Sequence, residues 1–230
     1  MLYALLAPLA DRFEPFNLFR YITFRSGGAV MTALLISFAC GPGVIAWLKS
    51  KQGEGQPIRS DGPESHLVTK KGTPTMGGFL ILTALTVSTL LWADLANGYI
   101  WVTLFVTGAF GGIGFFDDYR KLTRRSSRGL SSRQKFLAQL GIGAIAAIAV
   151  VLLTRGPLAT SFAVPFFKSL LFNLGWFFVP VAAVVMTGAS NAVNLTDGLD
   201  GLAIVPAMIA AGVFGLIAYL VGNLVFANYL

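Results

Sequence analysis

Charge is the first thing this sequence is short of. Only 12% of its 230 residues are Asp, Glu, Lys or Arg, while 55% are hydrophobic and the mean hydropathy is +0.73. A soluble globular chain carries about 25% charged residues, so this composition excludes one and indicates an integral membrane protein. Cysteine is nearly absent: Cys40 stands alone, so no intrachain disulfide can form, and it reads as a small apolar residue packed in a helix. Histidine is equally scarce. His66 is the only one, which excludes a multi-histidine zinc site within these residues. A soluble domain is missing too, because the longest hydrophilic stretch, about Lys49–Thr75, is too short to bury a core of its own. There is no internal repeat and no low-complexity tract.

What the chain does have is apolar runs. A membrane-spanning helix needs about 20 apolar residues. Six stretches qualify, roughly 27–48, 76–92, 99–116, 136–154, 170–190 and 202–222, and none contains Asp, Glu, Lys, Arg or His. They do not alternate as barrel strands would, and backbone groups in lipid must be satisfied within their own segment. The expected fold is therefore all-α, a polytopic membrane domain of six helices filling residues 1–230. The leader Met1–Ser26 carries Asp11, Arg12, Glu14, Arg20 and Arg25 ahead of the first run, unlike a secretory signal, so that run reads as a retained span. Ser161–Phe167 reads as a short amphipathic loop resting at the interface.

The cations fix an orientation. Of 17 Lys and Arg, five lie in the loop Lys49–Thr75 and seven in Asp117–Lys135, whereas the loops expected on the other side hold only Arg155 and Lys168. Lys and Arg beside spans stay cytoplasmic, so the first, third and fifth loops are read as cytoplasmic. This bias accounts for the formal charge of +7 without nucleic-acid binding. It also gathers three polar segments on one face. Small residues such as those of Thr107–Gly114 let helices pack closely and would bring the segments together.

The first segment is Asp117-Asp118, at the end of an apolar run. Acids at a helix C-terminus oppose its dipole, so they require a compensating cation, either a bound divalent ion or the basic residues that follow. A solvated helix end is the plain alternative. The second is Asn194-Leu195-Thr196-Asp197-Gly198-Leu199-Asp200-Gly201, in which Asp197 and Asp200 are three residues apart. Capping of the next span explains one of these residues, not the group. The third, Ser65–Gly78, joins His66, Lys70, Lys71 and hydroxyls to the start of a span, where free N–H groups attract phosphate. Its alternative is a positive anchor. The basic run Arg120–Lys135 suits a lipid surface and would also draw in a diphosphate.

Three of these stretches, Lys70-Lys71-Gly72-Thr73-Pro74-Thr75-Met76-Gly77-Gly78, Phe115-Phe116-Asp117-Asp118-Tyr119-Arg120-Lys121 and Asn191-Ala192-Val193-Asn194-Leu195-Thr196-Asp197-Gly198-Leu199-Asp200-Gly201, together with Gly62-Pro63-Glu64-Ser65-His66, resemble the bacterial polyprenyl-phosphate N-acetylhexosamine-1-phosphate transferases. The Lys-Gly-Thr-Pro-Thr-Met-Gly-Gly stretch points to their phospho-N-acetylmuramoyl-pentapeptide branch. The resemblance implies transfer of that group from a UDP carrier to undecaprenyl phosphate, releasing UMP, with Mg2+ as cofactor and the site facing the cytoplasm from the inner membrane. It implies Asp117 as the base, or as a nucleophile in a two-step scheme. Asp118 would assist it, and both carboxylates would help order the metal. Lys70 and Thr75 would contact the nucleotide–phosphate region, while Asn194, Asp197 and Asp200 would line the nucleotide and diphosphate pocket. A homodimer is compatible with the resemblance.

Members of that family have about ten spans. Their later part, which would fall beyond Leu230, supplies the main magnesium aspartate and a histidine-rich loop. This sequence looks like the N-terminal two-thirds, so residues 1–230 alone are expected to be inactive or very weak. A polyprenyl-phosphate N-acetylglucosamine-1-phosphate transferase is the alternative within the class. A transporter would place ionisable groups inside the spans, which these lack; a non-catalytic membrane subunit would tolerate loss of Asp117, Asp197 and Asp200.

Overall fold

The computed structural model describes residues 1–52, 73–125, 129–154, 156–164, 167, 170–197 and 201–222. The leader forms a short helix, α1 (Leu2–Leu6), then two 3-10 segments, Ala7–Asp11 and Glu14–Arg20. Among the described residues six longer helices follow: α2 (Ile22–Gln52), α3 (Gly78–Trp92), α4 (Gly98–Arg124), α5 (Ser132–Leu153), α6 (Phe178–Thr196) and α7 (Ile204–Gly222). The chain divides into two compact units, residues 1–183 and 184–230, with the division inside α6.

In the first unit α2 packs on α3, α3 on α4 and α4 on α5. Most buried positions are small, among them Ala84, Ala146, Ala147 and Ala183, with Leu48, Ile113 and Gln139 the larger exceptions, while Leu35, Phe38, Phe116 and Leu152 are exposed. This inverts a soluble core, as expected where lipid is the solvent and close backbone approach holds helices together. A Cβ on Gly143 of α5 would lie 3.0 Å from the Ala183 Cα on α6, so glycine is what permits that approach. Two helix starts are fixed by side chains. Asn97 accepts from the Tyr99 N–H ahead of α4, and Ser131 forms a reciprocal capping box with Gln134 ahead of α5.

The leader docks through aromatic rings. Phe19 stacks on Trp92 at 5.7 Å between centroids, and Phe24 meets the same indole edge-on at 5.9 Å. Trp92 Nε1 donates to Thr32 Oγ1 at 2.9 Å, and its six-membered ring covers Gly28, where a Cβ would fall 2.5–2.6 Å from ring carbons.

The all-α expectation holds, with two local corrections. Among the described residues, five helices are long and apolar enough to cross a membrane, but the second expected span is only the 15-residue α3. At 1.5 Å per residue α3 covers about 22 Å, short of a hydrocarbon core of about 30 Å. It cannot begin at residue 76, because Met76 has φ +68°, a left-handed value outside any right-handed helix. The fifth expected span likewise begins late. Residues 171–173 pair as strand β2 with β1 (Ser161–Ala163), antiparallel with Phe162 opposite Phe172, and a 3-10 turn at Gly175–Phe177 precedes α6. A hairpin thus replaces the start of that span and part of the loop read at Ser161–Phe167. It follows from apolar and aromatic residues that pair well across strands.

Candidate active site

Helix α4 outlasts its apolar run. The run ends at Phe116, but the helix continues for two turns to Arg124, with Lys121 and Arg124 in its last turn and Arg125 closing it in the left-handed conformation. Asp117 and Asp118 therefore lie upstream of the helix end rather than on it. The conflict with the dipole is offset by cations at the terminus proper, where they are favourable.

Lys121 is the centre of the arrangement. Its Nζ lies 2.8 Å from Asp117 Oδ2 (i, i+4) and 3.1 Å from Asp118 Oδ1 (i, i+3). The side chains are largely withdrawn from solvent: 13% exposed for Lys121, 14% for Asp117 and 28% for Asp118. A carboxylate pair so withdrawn, with no cation between its members, is strongly disfavoured. Among the described residues Lys121 is the cation bonded to both carboxylates, while Lys135 acts on Asp117 from further away.

The remaining oxygens are held from other parts of the chain. The Leu130 N–H donates to Asp117 Oδ1 at 2.7 Å, and Thr75 Oγ1 donates to Asp118 Oδ2 at 2.8 Å. Gly129 makes the first bond feasible, since a Cβ there would collide with the Asp117 carboxylate and lie 3.0 Å from Lys121 Cε. Thr75 is fixed in turn by Gln52, the last residue of α2. The Thr75 N–H donates to Gln52 Oε1 at 2.8 Å, and Gln52 Nε2 donates to the Thr75 carbonyl at 3.0 Å.

The structure thus brings Thr75 to Asp117-Asp118. Asn194, near the end of α6, and Asp197, in the turn after it, belong to the second unit and are exposed. There Asn191 donates to the Thr187 carbonyl and Thr196 to the Ala192 carbonyl. Lys70, Asp200 and His66 lie outside the described residues. Lys121 is among the basic residues expected to follow and compensate the acids, and its spacing of three and four from them singles it out. Two contributors escaped the sequence reading. Gln52 and the Leu130 N–H gave no signal, because their roles depend on chain return.

Chemically, the described residues offer carboxylate oxygens that accept only, the Thr75 hydroxyl and the Lys121 ammonium. Among the described residues each carboxylate oxygen has one partner, and a carboxylate oxygen can accept more than one. These are hard donors of the kind magnesium takes, which commonly binds through one or two carboxylates and completes its shell with water and substrate phosphate. Among the described residues no cluster of three His, Cys, Asp or Glu could hold a metal without such help. The metal expectation therefore rests on Asp117 and Asp118 within this chain.

Comparison with known proteins gives a consistent picture. The profile of glycosyl transferase family 4 matches residues 100–230, and phospho-N-acetylmuramoyl-pentapeptide-transferase signature 1 matches residues 70–82. A phospho-N-acetylmuramoyl-pentapeptide-transferase of Granulibacter bethesdensis is 64% identical over 230 residues, and one of Maricaulis maris is 56% identical over 235. Both alignments cover the whole chain, from Met1 to Leu230, which spans 64% of the length of each relative.

Proposed function

The chain belongs to glycosyl transferase family 4, and from that premise we propose that it forms part of a membrane phosphoglycosyl transferase that moves phospho-N-acetylmuramoyl-pentapeptide from UDP to undecaprenyl phosphate and releases UMP. The observation that carries this reading is the bond from Thr75 to Asp118. It joins the segment matching the transferase signature to the acidic pair that the family reading needs. The identity of the two relatives, both bearing the phospho-N-acetylmuramoyl-pentapeptide name, supports this donor over UDP-N-acetylglucosamine.

Phosphoryl transfer asks mainly for positioning and charge neutralisation. The acceptor phosphate and the donor diphosphate repel each other, and Lys121, with Arg120 and Arg124 on the same helix, reduces that repulsion as they approach. Asp117 takes the remaining proton of the lipid phosphate. A weak base is enough, because such a phosphate ionises near neutral pH, and the Lys121 and Leu130 contacts hold Asp117 in one orientation for the task. Magnesium, when bound, would neutralise the diphosphate; the carboxylates of Asp117 and Asp118 would hold it. Asn194, Asp197, Asp200 and Lys70 are assigned to the nucleotide and diphosphate. The site is assigned to the cytoplasmic face by the cation bias, and to the bacterial inner membrane by the family resemblance.

The test uses membranes from cells expressing the complete gene, supplied with UDP-N-acetylmuramoyl-pentapeptide and undecaprenyl phosphate. UMP should appear, stop on chelation with EDTA and return with Mg2+. Asp117→Asn should abolish release without reducing the amount of protein inserted. Release from UDP-N-acetylglucosamine alone would move the chain to the other branch of the class.

A further inference from the structure

Gln52 lies outside every motif described above, yet it makes the most specific contact that Thr75 has. Its side-chain amide meets both the N–H and the carbonyl of Thr75, at 2.8 and 3.0 Å, as a neighbouring strand would meet one residue of a ladder. A single residue is thereby held at two points from the end of another helix. The next residue, Met76, has φ +68°, a conformation that costs a non-glycine residue about 1–2 kcal/mol and persists only when its surroundings impose it. Held on one side by Gln52 and on the other by the start of α3, Thr75 turns its hydroxyl onto Asp118 Oδ2 at 2.8 Å. That bond leaves Lys121 to share its charge between the other Asp118 oxygen and Asp117.

We propose that Gln52 is a positioning residue of the transferase site: it fixes the Thr75 backbone so that the Thr75 hydroxyl orients the Asp118 carboxylate. The proposal rests on the transferase reading above. Gln52 touches neither carboxylate and acts only through Thr75. Removing the hydrogen-bond partner of a metal-binding side chain typically costs about 10–100-fold in activity; Thr75 is that partner for Asp118, and Gln52 stands one step behind it.

The experiment measures UMP release in membranes expressing the complete gene, comparing wild type with Gln52→Met, Thr75→Val and the double variant. Methionine preserves the length and packing of the stem while removing both hydrogen bonds. Gln52→Met should lower kcat about tenfold, with the donor KM within about twofold. Because both residues act through one hydroxyl, the double variant should be no slower than Thr75→Val alone. Gln52→Glu keeps an acceptor for the Thr75 N–H and should lose less than Gln52→Met; it also serves as the reading if the methionine variant does not insert. Wild-type kcat in Gln52→Met, a raised KM at unchanged kcat, or multiplying losses in the double variant would each overturn the role of Gln52. Absence of UMP release from the wild type itself would instead remove the transferase reading.

Discussion

At the scale of single residues, the site is a balance between two carboxylates and one ammonium. Lys121→Met would leave Asp117 and Asp118 side by side with no cation between them. Breaking a wholly buried pair costs about 3–5 kcal/mol; partial exposure of these side chains admits water, so a loss of about 2 kcal/mol is expected. It should appear as a lower Tm of the detergent-purified protein, with UMP release falling at least about 100-fold; an unchanged Tm would show that the ammonium offsets little. Gly129→Ala forces a methyl group into the Asp117 carboxylate and should destabilise by about 1–3 kcal/mol. Combining it with Asp117→Ala should recover most of that loss in the same melting measurement, since the colliding group is gone. The acids were legible in the sequence because charges at the end of an apolar run stand out. The Leu130 N–H was not, because every residue other than proline has a backbone donor and only the fold decides which one returns to a carboxylate.

At the scale of elements, the apolar runs announced the helices, while their limits were set by local backbone chemistry. Residues 76–92 are apolar enough to read as a span, yet hydropathy does not register the left-handed Met76 that delays α3. Residues 170–174 are equally apolar, but they pair as a hairpin instead of joining α6. Apolar content fixes solvent preference rather than periodicity. Glycines on one helix make a sharper test of packing. Gly141 has no atom within 4 Å of an added Cβ, whereas at Gly143 the Ala183 backbone is 3.0 Å away. Gly141→Ala should therefore leave Tm unchanged or raise it slightly, while Gly143→Val should lower stability by about 1–3 kcal/mol. Equal effects in thermal melts would mean that this helix contact does not restrict size.

At the scale of the whole molecule, the accumulation of Lys and Arg on alternate loops gives an expected orientation. It yields a direct test in intact cells with Cys40 replaced. Single cysteines at Arg124 and Asn194 should resist a membrane-impermeant thiol reagent until the cells are opened, whereas one at Phe162 in the hairpin should react at once. Reaction at Asn194 but not at Arg124 would place the two acidic motifs on opposite faces and dismantle the proposed centre. The gathering of Thr75 with Asp117-Asp118 was legible only as a shared side of the membrane; the bond that joins them depends on the Gln52 clamp.

The docking of the leader has a practical consequence. The Trp92 indole is stacked by Phe19, backed by Gly28 and hydrogen-bonded to Thr32. Any release of Met1–Arg20 would strip one face of the ring. With the other three tryptophans, Trp47, Trp101 and Trp176, changed to phenylalanine, Trp92 would be the sole indole fluorophore, its emission maximum and quenching reporting in real time whether the amino-terminal segment is seated.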